Sequence, residues 1–254
     1  MSWRSQADAI LHLCYANGIV SLWRSPAVLI AEFLTPFTFL FFLYVVAAPA
    51  YLPFGIVGGI LFTVLYTGNG MLNDCAYLRL ERKLQQVFVA SPVRPISYVL
   101  GMALSELVFS IPALVLFLGI LWYATGVPAL AILGILGAVL LTWLMATSLG
   151  FMISTFFRRM REIWPIGSVI FSILSVLPPI FYPMEVIPES LRWVAFLSPS
   201  TFAAQLADRA AGLSVPAVSG IPFLSSLGFE LAGLVGSTLL FGAAALYFAR
   251  WREP

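Results

Sequence analysis

The residues of this chain that could do chemistry are few and far apart. It has one histidine, His12, and two cysteines, Cys14 and Cys75, neither of them in a C-x-x-C pair. No zinc or redox motif is therefore signalled, and a single histidine excludes most His-dependent catalytic constellations. No G-x-x-x-x-G-K-[ST], H-E-x-x-H or G-x-S-x-G occurs, so the usual phosphate cradle, metalloprotease pair and nucleophile elbow are all missing. Gly68-Asn69-Gly70 closes an apolar run instead of joining a strand to a helix, and close helix packing explains it better than phosphate binding. His12 reads as an incidental interfacial residue, with a proton or metal role as the alternative. The cysteines read as small buried or lipid-facing residues.

What remains is a set of polar residues inside apolar runs, and such residues are expensive in a membrane. Glu32 falls at the start of the first run, where it can complement a helix N-terminus. Glu106 lies about two turns inside the third run and needs a partner; a structural hydrogen bond and a path-lining role are both open. Glu230 reads as structural. Asn69, Asn73 and Asp74 end the second run, where they could meet a polar headgroup or pair with Arg79.

The elements that must position these residues are membrane helices. Of the 254 residues, 61% are hydrophobic and 9% charged, and 21 are Phe. Soluble domains carry about 25% charged residues, so the bilayer is the natural solvent. Six runs approach the ~20 apolar residues a span needs: 27–47, 54–73, 98–122, 131–156, 163–182 and 223–249. Ser25 can cap the first, with Pro26 at its first helical position. With both termini on the cytoplasmic side, that side holds Arg4, Arg24, Arg79, Arg82, Lys83, Arg94, Arg158, Arg159, Arg161, Arg250 and Arg252, which is 11 of the 13 basic residues. Only Arg192 and Arg209 fall outside, a clear positive-inside bias. The triplet Arg158, Arg159 and Arg161 could face anionic lipid or an acidic protein surface. Pro112 is expected to kink the third span.

Residues 1–25 mix Trp3, Leu11, Ile19 and Trp23 with Arg4, Asp8 and Arg24. The pattern fits a helix lying in the cytoplasmic interface and not a cleavable signal. Between spans two and three, Leu80, Leu84, Val87 and Phe88 recur at helical spacing within a charged stretch, and Pro92 and Pro95 end it. A short amphipathic helix there suits docking into a soluble partner's groove; a loop hugging the headgroups is the other reading. After span five, Pro178, Pro179, Pro183 and Pro188 break the helix. The apolar stretch that follows is too short to span. A hairpin dipping into the outer leaflet would satisfy its backbone, and a plain outer loop with aromatic anchors is the alternative.

Two stretches resemble the permeases of type-2 ATP-binding-cassette (ABC) exporters. One is Glu81-Arg82-Lys83-Leu84-Gln85-Gln86-Val87-Phe88-Val89-Ala90-Ser91-Pro92-Val93, followed by Tyr98-Val99-Leu100-Gly101. The other is Phe181-Tyr182-Pro183-Met184-Glu185-Val186-Ile187-Pro188, then Leu191-Arg192-Trp193 and Ser198-Pro199-Ser200-Thr201-Phe202. The resemblance runs over nearly the whole chain in span order. It departs at Leu84-Gln85, where the family has Gly-Thr, and at Ser198, where it has Asn.

The resemblance implies an all-α membrane protein forming one domain over residues 1–254. An interfacial helix (1–25) precedes a six-span region (26–254), with a cytoplasmic coupling helix between spans two and three and a re-entrant outer hairpin between spans five and six. It implies an exporter in the cell membrane with no enzyme activity of its own, and the short loops and few charges in the spans suit small hydrophobic or amphipathic compounds. ATP and Mg would be bound by a separate ABC ATPase, present in two copies, and a second permease copy would complete a homodimer; no nucleic acid is involved. Arg4, Arg79, Glu81, Arg82, Lys83 and Gln86 would couple to the ATPase. Asn69, Asn73, Glu106, Phe181, Tyr182, Pro183, Trp193 and Phe202 would line or gate the path, with substrate between the two copies of spans two and five. The competing readings are a permease for a lipid-linked polysaccharide, a proton- or sodium-driven secondary transporter, and a membrane enzyme or assembly scaffold.

Overall fold

The computed structural model describes residues 3–24, 26–46, 49–215 and 222–248, and every regular element among them is helical. The N-terminal segment is helical without a break: α1 (Trp3–Leu13), a π-helical turn (Cys14–Ile19) and α2 (Val20–Arg24). There follow α3 (Pro26–Val46), α4 (Leu52–Leu80), α5 (Leu84–Ala90), α6 (Pro95–Thr125), α7 (Ala129–Ser154) and α8 (Met160–Val176). Three more complete the order: α9 (Arg192–Ala195), α10 (Pro199–Ala210) and α11 (Leu227–Phe248). Short 3-10 turns join several of them.

Four helical stretches among the described residues are long and apolar enough to cross a membrane: 49–80, 95–125, 129–154 and 227–247. They cover the expected second, third, fourth and sixth spans. α3 has 21 residues at the place of the first, though its Ser25 cap and the Glu32 side chain lie outside the described residues. α8 has only 17 residues, because Pro178 and Pro179 stop it well short of residue 182. Its first turns also hold Arg161 and Glu162. α6 runs unbroken through Pro112.

α4 is the axis of the bundle. It packs against α3, α6, α7, α8 and α10, and every residue from Phe54 to Leu65 is buried. Glycines allow the closest crossings. A methyl group on Gly150 of α7 would overlap the Gly68 carbonyl, and one on Gly68 would overlap Phe171 of α8. Small residues at such crossings let helix backbones approach in an apolar solvent, where dispersion has to substitute for the hydrophobic effect. Large apolar side chains such as Phe41, Phe42, Leu133, Leu239 and Leu240 are exposed on the outside, as a surface solvated by lipid requires.

The N-terminal segment packs along α6. Leu13 lies against Gly101, and Gly18 against the backbone of Ser105. Leu11, Tyr15, Ile19 and Trp23 follow each other at four-residue steps on its exposed face. Gln6, 5% exposed, pins the segment at its start. Its amide donates to Pro92 O (3.0 Å) and accepts from Arg94 N (3.0 Å) and Ser97 Oγ (2.8 Å).

Candidate functional site

The charged loop is built differently from its sequence pattern. α4 continues past Asp74 to Leu80, so Leu80 belongs to α4 and the amphipathic helix begins only at Leu84. Arg79 explains the extension. Its guanidinium donates to the carbonyls of Ser154 and Phe157, where the C-terminal turn of α7 has no intrahelical donors left.

Glu81, Arg82 and Lys83 make the turn between α4 and α5, and all three are exposed. Lys83 takes the left-handed conformation (φ 53°) that reverses the chain there. Arg82 lies over the Tyr77 ring, 5.4 Å from its centroid, with Nε 2.8 Å from the Tyr77 hydroxyl. In α5, Phe88 packs on Tyr98 of α6 (5.1 Å between centroids), whereas Leu84 and Val87 stay exposed, Val87 at 61%. Gln86 is in α5 and its side chain lies outside the described residues. Arg4 is exposed on α1, the helix that Gln6 ties to the far end of the same loop.

Asn69, Asn73 and Glu106 come together. They line a cavity of about 480 Å³ between the N-terminal segment, α4 and α6, with Asp74, Tyr66 and Phe109 among its other walls. Asp74 and Glu106 are electrostatic neighbours in its wall. Glu106 is 6% exposed and packs on Gly70, where an added methyl would overlap its carboxylate. Asn73 donates to the Asn69 carbonyl (2.9 Å), while the side-chain oxygens of Asn69 and Asn73 are buried without a hydrogen-bond partner. A second cavity, about 460 Å³, shares Asn73, Asp74 and Tyr77 and continues to Trp164 and Ser168 of α8.

The segment after α8 folds back into the bundle, and its residues separate into two groups. Ile180, Phe181, Pro183 and Met184 are buried. Phe181 stacks on Phe39 (4.8 Å) and meets Phe62 (5.8 Å), an approach that Gly58 permits, since a methyl there would lie 2.5 Å from Ile180 O. Tyr182 is half-buried and donates to Leu177 O (3.0 Å). Phe202 belongs to a different cluster, with Phe196 (5.7 Å) and Phe229 (5.5 Å). Trp193 stands outside both and is 51% exposed. α10 is buried from Ala203 to Asp208 among α4, α7 and α11. Glu230, 0% exposed, receives two bonds from Arg209 (2.8 and 3.2 Å), the structural role expected of it.

Sequence reasoning missed Gln6 and gave Asp74 no partner among the carboxylates. Gln6 had no distinguishing signal in an amphipathic stretch. Asp74 and Glu106 did, because each is a carboxylate in an apolar helix and each needs a partner.

A model of the ABC-2 type transporter family matches residues 10–208, which takes in the charged loop, the cavity and the segment folded back after α8. No curated protein matches the chain. The match joins apolar helices of membrane-spanning length to a known class of transport subunit that works with an ABC ATPase. The chain belongs to the ABC-2 type transporter family and is an integral-membrane permease subunit of an ABC transporter.

Proposed function

We propose that the chain is the permease of an ATP-driven exporter that moves a small hydrophobic or amphipathic compound out of the cytoplasm or the inner leaflet. The observation that carries this reading is the exposed turn Glu81–Lys83. It joins the central helix α4 to α5, and the Gln6 and Arg79 contacts fasten its surroundings to α6 and α7. A push on this turn by a closing ATPase would reach three spans at once. Glu81, Arg82, Lys83 and Gln86 form the coupling surface, with Arg4 beside it and Arg79 holding α4 to α7. ATP and Mg are held by two copies of the partner, not by this chain.

In this reading α3 and α8 complete six spans, and both termini face the cytoplasm of a cell-membrane protein. The basic residues support that orientation. Arg79, Arg82, Lys83, Arg94, Arg158 and Arg159 gather where α4 and α7 end and α6 and α8 begin, and anionic cytoplasmic surfaces favour that end. A second copy packs against α8, whose Trp164, Val169, Ile173 and Val176 are exposed. Asn69, Asn73 and Glu106 line the inner part of the path. Phe181, Tyr182, Pro183, Trp193 and Phe202 form the outer gate, around a re-entrant α9–α10 hairpin.

The test is ATP hydrolysis by the purified complex with its ATPase, comparing wild type with Glu81→Ala plus Arg82→Ala. Hydrolysis that the loop change uncouples or abolishes, with the complex intact, is the expected result. Hydrolysis indifferent to the loop would remove the coupling assignment.

A further inference from the structure

A groove that the protein's own side chains do not fill runs along the outside of the bundle between α7, α10 and α11, with a volume of about 320 Å³. Its α7 wall lacks side chains at two positions. A methyl on Gly137 would meet nothing within 4 Å, and one on Gly134 would touch only the Ala210 methyl. Leu206 and Ala210 line it from α10, and Leu227 and Leu231 from α11. Those last two leucines are 50% and 43% exposed, so the groove opens to the surroundings of the bundle.

Its two ends differ. At one end α7 and α11 close up, and Thr238 Oγ1 donates to Leu141 O (3.2 Å). From Leu141 back to Gly134 is about 10 Å along the helix axis. At the Gly134 end stands Arg209, next to Ala210 in α10. Its Nε and Nη2 donate to the Glu230 carboxylate, and Nη2 also to Ser225 O. Nη1 makes no hydrogen bond among the described residues. Glu230 is 0% exposed and Arg209 37%, so the pair turns its carboxylate inward and its spare N–H donors outward. No Asp or Glu lines the groove among the described residues.

An apolar groove open to a bilayer loses dispersion contacts on every wall if it stays empty, and a hydrocarbon chain restores them. A guanidinium only donates, and phosphate oxygens are its strong acceptors. Gly134 lies five residues into α7, roughly 7 Å from its start, and a long Arg side chain reaches from there to the headgroups. A chain-sized apolar groove that ends on a donor at headgroup depth matches one class of molecule, a membrane phospholipid.

We propose that this groove seats a phospholipid from the leaflet around the start of α7, with one acyl chain along Gly134–Leu141 and the phosphate on Arg209 Nη1. The site is on the outside of the subunit, apart from the cavity lined by Asn69 and Glu106. It rests on the chain being an integral-membrane protein and not on the export reading.

The experiment uses the complete permease–ATPase complex in phosphatidylcholine nanodiscs. Two photoactivatable probes are added in trace amounts: a phosphatidylcholine with a diazirine on one acyl chain, and the diacylglycerol with the same chains and no phosphate. Peptide mass spectrometry counts labels on residues 134–141 and 227–231 relative to labels on the exposed α6 face around Val115 and Leu116. On that scale the phospholipid is expected to label the groove about tenfold more than the diacylglycerol, the ratio produced by one charge-assisted hydrogen bond. In Gly137→Phe the ring occupies the groove, and phospholipid labelling there is expected to fall to the diacylglycerol level. Gly119→Phe, where α6 also has open space, is expected to leave groove labelling unchanged. Equal groove labelling of the wild type by both probes would overturn the proposal, as would undiminished labelling of a folded Gly137→Phe. A groove that neither probe labels while α6 is labelled would overturn it too, because a protein surface would then cover it. The wild-type comparison decides the matter even if Gly137→Phe does not fold.

Discussion

The side chains of Gln6 and Ser97 are joined by a 2.8 Å hydrogen bond across 91 residues of sequence, between the N-terminal helix and the first turn of α6. The same glutamine holds Pro92 O and Arg94 N, so one buried side chain closes the charged loop against the N-terminal segment. Gln6→Ala removes the hydrogen bonds to Pro92 O, Arg94 N and Ser97 Oγ together. The expected cost is about 1–3 kcal/mol, read as a lower unfolding temperature of the purified protein. Ser97→Ala removes one bond only, and its effect is expected to be smaller.

Arg209 and Glu230 form the ion pair that fastens α10 to α11. Arg209→Ala strands a fully buried carboxylate, and because Arg209 itself is 37% exposed and partly screened, roughly 1–3 kcal/mol of destabilisation is expected. Replacing both partners with apolar residues, Arg209→Met plus Glu230→Leu, is expected to recover most of it. Thermal unfolding of the three proteins in one detergent checks the sign and the order.

One residue earlier in α10, Asp208 is 2% exposed and one of its carboxyl oxygens has no hydrogen-bond partner. An amide of the same shape removes the cost of burying an ionisable group. Asp208→Asn is therefore expected to raise the unfolding temperature at neutral pH, and a fall would show that the carboxylate itself is needed.

The crossing of α4 and α7 depends on the absence of side chains. A methyl on Gly150 would overlap the Gly68 backbone, whereas one on Gly119 of α6 meets nothing within 4 Å. Gly150→Ala is expected to cost about 1–3 kcal/mol. Gly119→Ala is expected to be neutral or stabilising by up to about 1 kcal/mol. Unfolding curves of the two variants, measured side by side, give the comparison.

The sequence pattern predicted the spans well where the signal was local. Runs of apolar residues located α4, α6, α7 and α11, and the prolines after residue 176 marked where the chain turns back. It failed where a distant partner decided the outcome. α4 runs on to Leu80 because Arg79 reaches the end of α7, and nothing within residues 74–84 shows that. The same holds for the cavity. Asn69, Asn73 and Glu106 were legible as polar residues needing partners, but the approach of Glu106 to Asp74 depends on how α4 and α6 cross. Trp193 and Phe202, adjacent in motif and expected to act together, separate because Phe202 is drawn to Phe229 on α11.

The claim most open to direct test is that the turn Glu81–Lys83 seats in an ABC ATPase. A photo-crosslinking residue at position 82, and as a control at position 123, where Tyr123 is 90% exposed at the opposite end of α6, would report contact in the intact complex. Crosslinks to the ATPase from position 82, changing with bound nucleotide, and none from position 123 are the expected result. An intact complex that crosslinks only from position 123, or not at all from position 82, would contradict the assignment of this loop.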